Sequence, residues 1–140
     1  FRAWRRRVRS GLDEDLLKGG AFCTARRIHA PLDHTRDPAG PTIQIFFREI
    51  VNAPQVRQRE KLPALLFLTG GPGFAPSRPL TATDGWLGSA LRDHRVVLLD
   101  MRGTGRSTPI TVQTLHGMTA EAQASYLAHF RADSIVEDCE

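Results

Sequence analysis

Two glycine-punctuated stretches are the places in these 140 residues where the backbone itself could do chemistry. Thr69-Gly-Gly-Pro-Gly-Phe74 follows the apolar run Leu65-Leu-Phe-Leu68, and Asp100-Met-Arg-Gly-Thr-Gly-Arg-Ser-Thr-Pro109 follows Val96-Val-Leu-Leu99. An apolar run that stops in glycine leaves amide N–H groups bare, because Gly70, Gly71 and Gly73 have no side chain to keep a ligand away. Amides gathered at such a stop can hold an anion, either a phosphate or the oxyanion of an acyl-transfer intermediate.

The phosphate versions fail on particular residues. A P-loop would need glycine at Ala75 and lysine at Pro76; proline supplies no ammonium and removes an amide donor. Gly103-Thr-Gly-Arg-Ser-Thr108 begins a dinucleotide fingerprint, but its third glycine is threonine. Pro109 and the β-branched residues after it do not open the helix that would receive a pyrophosphate. An oxyanion hole is the reading left, with one amide from the loop after an early strand and a second from the residue after a nucleophile. Ser107 is not that nucleophile: it lacks the final glycine of G-x-S-x-G and no helix follows it, and the sequence contains no G-x-S-x-G elsewhere.

These loops need strands to place them. Ala64–Thr69 and Arg95–Asp100 read as buried strands, the first buried on both faces. Asp84–Asp93 reads as a short helix, with Leu87 and Leu91 four apart and Asp84 as N-cap. Strand, loop, helix and strand make a βαβ unit with parallel pairing, hence an α/β architecture. Upstream, Ala21–Ala30 is β-compatible and Pro31-Leu-Asp-His34 ends it. Thr42–Val51 alternates, with Ile43, Ile45 and Phe47 on one face. The two form an antiparallel pair joined by a loop over Asp37–Pro41. Residues 52–63 read as a solvated connection. Downstream, Thr119–Phe130 predicts a helix with Ala120, Ala124 and Leu127 on one stripe, and Asp133 is placed to cap another beginning at Ser134.

Composition narrows the partners. The formal charge is +4, yet five arginines lie in the first nine residues, so the remainder is near neutral and no general nucleic-acid surface is indicated. Residues 1–20 are expected to be a basic, flexible arm, and residues 21–140 a folded portion of α/β architecture. An export signal would need an apolar segment after Arg5-Arg6, where the sequence supplies charges instead. Cys23 and Cys139 have no metal-ligand spacing and read as free thiols of a reducing, cytoplasmic compartment. No apolar run approaches the ~20 residues of a membrane helix. The absent initiator Met and the helical pattern running into Glu140 predict a piece of something longer.

The two glycine motifs, in this order and some thirty residues apart, resemble the His-Gly-Gly-Pro-Gly and Asp-Gln-Arg-Gly-x-Gly-x-Ser pair of the prolyl aminopeptidase (proline iminopeptidase) family of serine peptidases. Ala30-Pro-Leu-Asp-His34, Phe47-Arg-Glu-Ile50 and Phe130–Asp138 extend the resemblance over residues 21–140. Thr69 and Met101 stand where that family has histidine and glutamine. The resemblance implies the N-terminal part of an α/β-hydrolase fold, an antiparallel strand pair leading into a parallel sheet truncated before the nucleophile strand. It implies that Gly71, with Gly70, forms the oxyanion loop and that Pro72 and Gly73 shape it against substrate. Asp100, Arg102, Gly103 and Gly105 would build a structural turn. Neither metal nor cofactor is implied.

The expected reaction is release of an N-terminal proline, or another residue, through an acyl-enzyme. Its serine, aspartate and histidine would lie outside these residues, since His29, His34, His94, His116 and His129 all precede the family's catalytic histidine. The expected partner is a peptide with N-terminal proline, not a nucleic acid or a membrane. Self-association is expected through an exposed edge of the strand Ala64–Thr69. An esterase or epoxide hydrolase, or a non-catalytic interaction protein using the arginine arm, are the alternatives.

Overall fold

The computed structural model describes residues 13–70, 73–83 and 85–140. Residues 1–12, Gly71, Pro72 and Asp84 lie outside the described residues, and with them the arginine-rich start, two members of the glycine loop and the expected N-cap.

One five-stranded mixed sheet organises the chain, in the order β1-β2-β3-β5-β4. β1 (Asp13–Leu17) lies within the segment read as an arm; it pairs antiparallel with β2 (Ala21–Asp33), Leu17 opposite Ala21 across the Gly19-Gly20 turn. Both glycines have positive φ, which a tight reversal requires.

β2 runs antiparallel to β3 (Asp37–Asn52), so the expected pair forms, but its connection is shorter than the loop over Asp37–Pro41. The reversal occupies residues 34–36, because Asp33 Oδ1 accepts the amides of Thr35 (3.0 Å) and Arg36 (2.9 Å). A carboxylate that satisfies two turn amides replaces a longer loop. Pro38 and Pro41 then sit in extended backbone, where the fixed φ of proline is tolerated.

After an exposed 3₁₀ helix, Ala53–Lys61, β4 (Ala64–Phe67) and β5 (Arg95–Asp100) pair in parallel, joined by a crossover containing α1 (Gly85–Ala90). β5 lies between β3 and β4 and every residue in it is buried, Val96 and Leu98 on one face of the sheet, Val97 and Leu99 on the other. β4 differs from the expectation of burial on both faces. It is half-buried throughout because it lies at the sheet edge, and it leaves the ladder at Phe67, before Leu68 and Thr69.

The core is split by the sheet. One layer joins Cys23, Ile50, Val96 and Leu98 to Leu87 and Leu91 at and beyond α1. The opposite layer joins Ile28, Ile43, Ile45, Phe47, Val97 and Leu99, so the alternation in β3 places its apolar set as read. Three helices complete the described chain: α2 (Val112–Leu115), α3 (Ala120–Ala128) and α4 (Ala132–Cys139); α2 differs from the expectation that no helix opens after Pro109, because the Thr111 hydroxyl caps one short turn by accepting the Thr114 amide at 3.2 Å. Thr119 caps α3, its hydroxyl accepting the Ala122 amide at 3.2 Å.

The expected stripe on α3 is displaced. Ala120, Ala124 and Leu127 face solvent, while Gln123 and Tyr126 are half-buried, because the helix is anchored through Tyr126 against Phe130 (ring centroids 5.0 Å apart) and Phe130 packs on the core. Arg131, not Asp133, is the N-cap residue of α4, without a side-chain bond; Asp133 lies in the first turn, where a negative charge suits the helix dipole.

Candidate functional site

The two glycine loops leave the sheet at the C-terminal ends of neighbouring parallel strands, β4 and β5. Open α/β sheets bind ligands at that end. The loop after β4 is bare. A Cβ placed on Gly70 or on Gly73 would meet nothing within 4 Å, and Gly73 has φ +99°, closed to most side chains. Below the loop is a cleft of about 600 Å³, lined by Phe67, Thr69, Gly70, Phe74, Pro76 and Trp86 among others. Phe67 and Trp86 stack at 4.7 Å, so strand and helix α1 together make its apolar wall. The Thr69 hydroxyl, on the cleft wall next to Gly70, is buried with no hydrogen-bond partner among the described residues.

The loop after β5 is densely bonded, although Asp100 Oδ1 is buried without a hydrogen-bond partner among the described residues. Beyond Asp100 the chain turns back and continues the pairing with β3 by other means. Thr108 N donates to Gln44 O (2.8 Å), Gln44 N donates to Thr108 Oγ1 (2.9 Å), and Phe46 N donates to Ser107 Oγ (2.8 Å). The Ser107 hydroxyl in turn donates to the Asp100 carbonyl, and the residue is 1% exposed. Its oxygen is thus committed on both sides, accepting from Phe46 N and donating to the Asp100 carbonyl. Asp100 Oδ2 accepts the Arg106 amide at 2.8 Å, closing the turn from within.

Gly103 and Gly105 have φ of +84° and +54°, and here the space is filled. A Cβ on Gly105 would lie 2.3 Å from Asp100 Oδ2 and 2.6 Å from the Cβ of Ala75. Ala75 belongs to the other loop, so the two motifs touch at this point, and only glycine permits it.

Arg102 is 2% exposed and sends its guanidinium under the turn. Nε donates to Asp138 Oδ2 (2.7 Å) and Nη2 to Asp138 Oδ1 (2.6 Å), a two-pronged pair with α4. Nη1 donates to the carbonyls of Leu32 (3.0 Å) and His129 (2.6 Å), and Nη2 also to that of Pro31 (3.0 Å). These bonds use all five donors of the group. His34 Nε2 lies 2.9 Å from Asp138 Oδ1 and 3.0 Å from Arg102 Nη2, so the ring nitrogen sits between the two charged groups.

No family model matches the chain. Among curated proteins it is 46% identical over 121 residues to a proline iminopeptidase of Aeromonas sobria, covering 86% of this chain and 28% of that protein. It is 44% identical over 116 residues to the proline iminopeptidase aneH of Aspergillus aculeatus, covering 81% of this chain and 25% of that protein. The chain belongs to the proline iminopeptidase family. It spans about a quarter of the length of these relatives. The mixed sheet with helices is the α/β architecture expected of the N-terminal α/β-hydrolase portion of a proline iminopeptidase.

Within this family member, sequence reasoning singled out Arg102 but not its partners. Asp138 and His34 come from the ends of the chain segment, 36 and 68 residues away, and no local pattern announces such a pairing. The only signal was that both fell inside stretches resembling the family, Ala30–His34 and Phe130–Asp138. Of the residues expected to shape the glycine loop, Gly70 and Gly73 border open space, whereas Gly71 and Pro72 lie outside the described residues. Burial pushes the Asp100 carboxyl above its ordinary value, against the pull of the Arg106 amide and of the Arg48 and Arg106 charges. Among the described residues, no three His, Cys, Asp or Glu side chains are grouped to hold a metal ion, and no helix is long and apolar enough to cross a membrane.

Proposed function

We propose that this chain is the oxyanion-loop portion of a serine aminopeptidase that releases N-terminal proline, or another residue, from peptides through an acyl-enzyme. The observation that carries the reading is the pairing of 46% identity to a proline iminopeptidase with open space at Gly70 and Gly73, beyond the C-terminal end of the parallel strand β4. The amide of Gly71 is the proposed oxyanion donor, Gly70 keeps its approach clear, and Pro72 and Gly73 set the loop against substrate. The turn holding Asp100, Arg102, Gly103 and Gly105 acts as the buttress that keeps this loop in place through Ala75. Thr69, in place of the family's histidine, bears on which residue is preferred.

The hydrolytic serine is not among these 140 residues, because no G-x-S-x-G occurs in them. The chain by itself is therefore expected to be inactive, and its peptide partner to be engaged only by the assembled enzyme. The outer edge of β4, apolar and unpaired within the sheet, is the surface through which the chain alone would self-associate. Two free thiols suit a cytoplasmic setting.

A chimera tests the assignment. This chain, joined to the remaining part of the Aeromonas sobria relative, should turn over proline 4-nitroanilide, while the chain alone should not. Replacing Gly70 by Val in the chimera should lower kcat by roughly 10²-fold, the scale of losing one oxyanion contact. A folded chimera without turnover, or turnover by the isolated chain, would overturn the proposal; hydrolysis of esters but not of prolyl amides would favour an esterase.

A further inference from the structure

On the sheet face of α1, beyond the reach of that helix, the ring of Phe46 is wholly buried beneath cations. The guanidinium carbons of Arg106, Arg48 and Arg27 lie 4.3, 4.9 and 5.5 Å from its centroid. Beside them is a cavity of about 310 Å³ lined by Glu14, Asp15, Cys23, Ala25, Arg48, Arg78 and Arg106. Three arginines and two carboxylates make its wall, so the question is which charges are already answered.

Both carboxylates are engaged. Asp15 Oδ2 is 2.5 Å from Arg78 Nη2. Glu14 Oε1 accepts the Thr24 hydroxyl at 3.1 Å and faces Arg59 Nη1 at 3.9 Å. Arg48 Nη1 has Asp100 Oδ1 beside it at 3.6 Å, and both atoms are buried without a hydrogen-bond partner among the described residues. Arg27 Nε is in the same condition. Arg27 and Arg106 have no carboxylate partner among the described residues. The cluster is thus left with excess positive charge, unfilled donors and space, while the aromatic face accounts for only part of the attraction each guanidinium can make. Unmade bonds on buried donors are costly, and an acceptor that reaches them removes the cost.

We propose that this cavity is an oxyanion site, taking a carboxylate or a phosphate between Arg48 and Arg106, with Arg27 adding charge behind the Phe46 ring. Arginine suits the task because its planar fork meets two oxygens at once. Cys23 contributes no competing charge, since burial pushes its thiol up and keeps it neutral. The site does not rest on the peptidase reading: Arg106 enters it through its position after Gly105 in the densely bonded turn, not through any catalytic group.

The test uses the full 140-residue chain, titrated with sodium phosphate and, separately, with sodium acetate, at ionic strength held constant with sodium chloride. Thermal midpoint and the arginine Nε–H resonances are the readouts. Phosphate, acetate or both should raise the midpoint and shift the Arg106 and Arg48 signals; phosphate acting alone identifies a phosphate ligand, acetate a carboxylate. Arg106→Gln, an exposed position whose backbone bond to Asp100 stays in place, should fold and bind about tenfold more weakly. Arg48→Lys keeps charge beside Asp100 but loses the fork, and should weaken binding as well. Neither anion exceeding chloride, or undiminished binding by Arg106→Gln, overturns the proposal.

Discussion

The loops after β4 and β5 read almost alike as glycine-rich stops to apolar strands, yet they differ in nearly every physical respect. Around Gly103 and Gly105 the space is occupied, the Gly103 amide is bonded to the Thr108 carbonyl, and a buried arginine spends all five donors beneath the turn. A Cβ added at Gly70 or Gly73 would meet nothing within 4 Å, and the adjoining Thr69 hydroxyl waits without a partner among the described residues. A glycine can thus be present because a side chain would collide with the protein, or because one would collide with a ligand. The first kind supports stability and the second kind supports function, and substitution separates them.

The largest effect is expected at Arg102. Arg102→Met strips the buried Asp138 carboxylate of its guanidinium and leaves it only His34, at a cost of about 3–5 kcal/mol by denaturant unfolding, and Asp138→Asn added to it should restore part of the loss. A cost under about 1 kcal/mol would show that the β5 loop is not built on this pair. Gly105→Ala comes next. It imposes a left-handed backbone on alanine and drives a methyl into Asp100 and Ala75, so about 2 kcal/mol or more should be lost.

Gly70→Ala should change stability by no more than about 0.5 kcal/mol, since its φ is not positive and the added methyl meets open space. Equal losses from the Gly70 and Gly105 substitutions would erase the distinction between the loops.

Titration sharpens the same contrast. Because burial raises the Asp100 pKa in the fold, the folded state holds that proton more tightly than the unfolded chain. Its contribution is complete below the ordinary value of 3.8 and is lost as pH rises through the raised folded value. Asp33 acts in the opposite sense: the amides of Arg36 and Thr35 lower its pKa, so its contribution holds above the ordinary value and is lost as pH falls. Unfolding measured between about pH 3 and 6 should therefore show a decline with rising pH that Asp100→Asn lacks.

The smallest expected signal is at Cys139. Burial, with the Asp138 and Glu140 charges, pushes its thiol to about 11, so it should react slowly with a disulfide reagent at pH 8 and faster once Arg102→Met loosens α4.

Legibility followed range. β5 was readable because Val96–Leu99, buried on both faces of the sheet, form an unbroken apolar run of four that no amphipathic element would carry. β4 shows the same kind of run and was misjudged as doubly buried, since a sequence does not state whether a strand is central or at an edge. β1 was missed: Asp13-Glu-Asp-Leu-Leu17 is mostly charged and exposed, and it is a strand only because β2 offers its free edge. The stripe on α3 went astray for a related reason, as a single aromatic anchor outweighed the weak period of its alanines.

By itself the sequence determined the chemistry available and its order along the chain: two glycine stops, the strands that end in them, a βαβ crossover and a serine that cannot be a nucleophile. Those features are local, set by side-chain size, alternation and the conformational freedom of glycine. Only the tertiary structure decided which glycine stop is filled and which is open, and that Arg102, Asp138 and His34 meet. Occupied volume and the completion of buried hydrogen bonds depend on residues brought together from far along the chain, a relation no window of sequence contains.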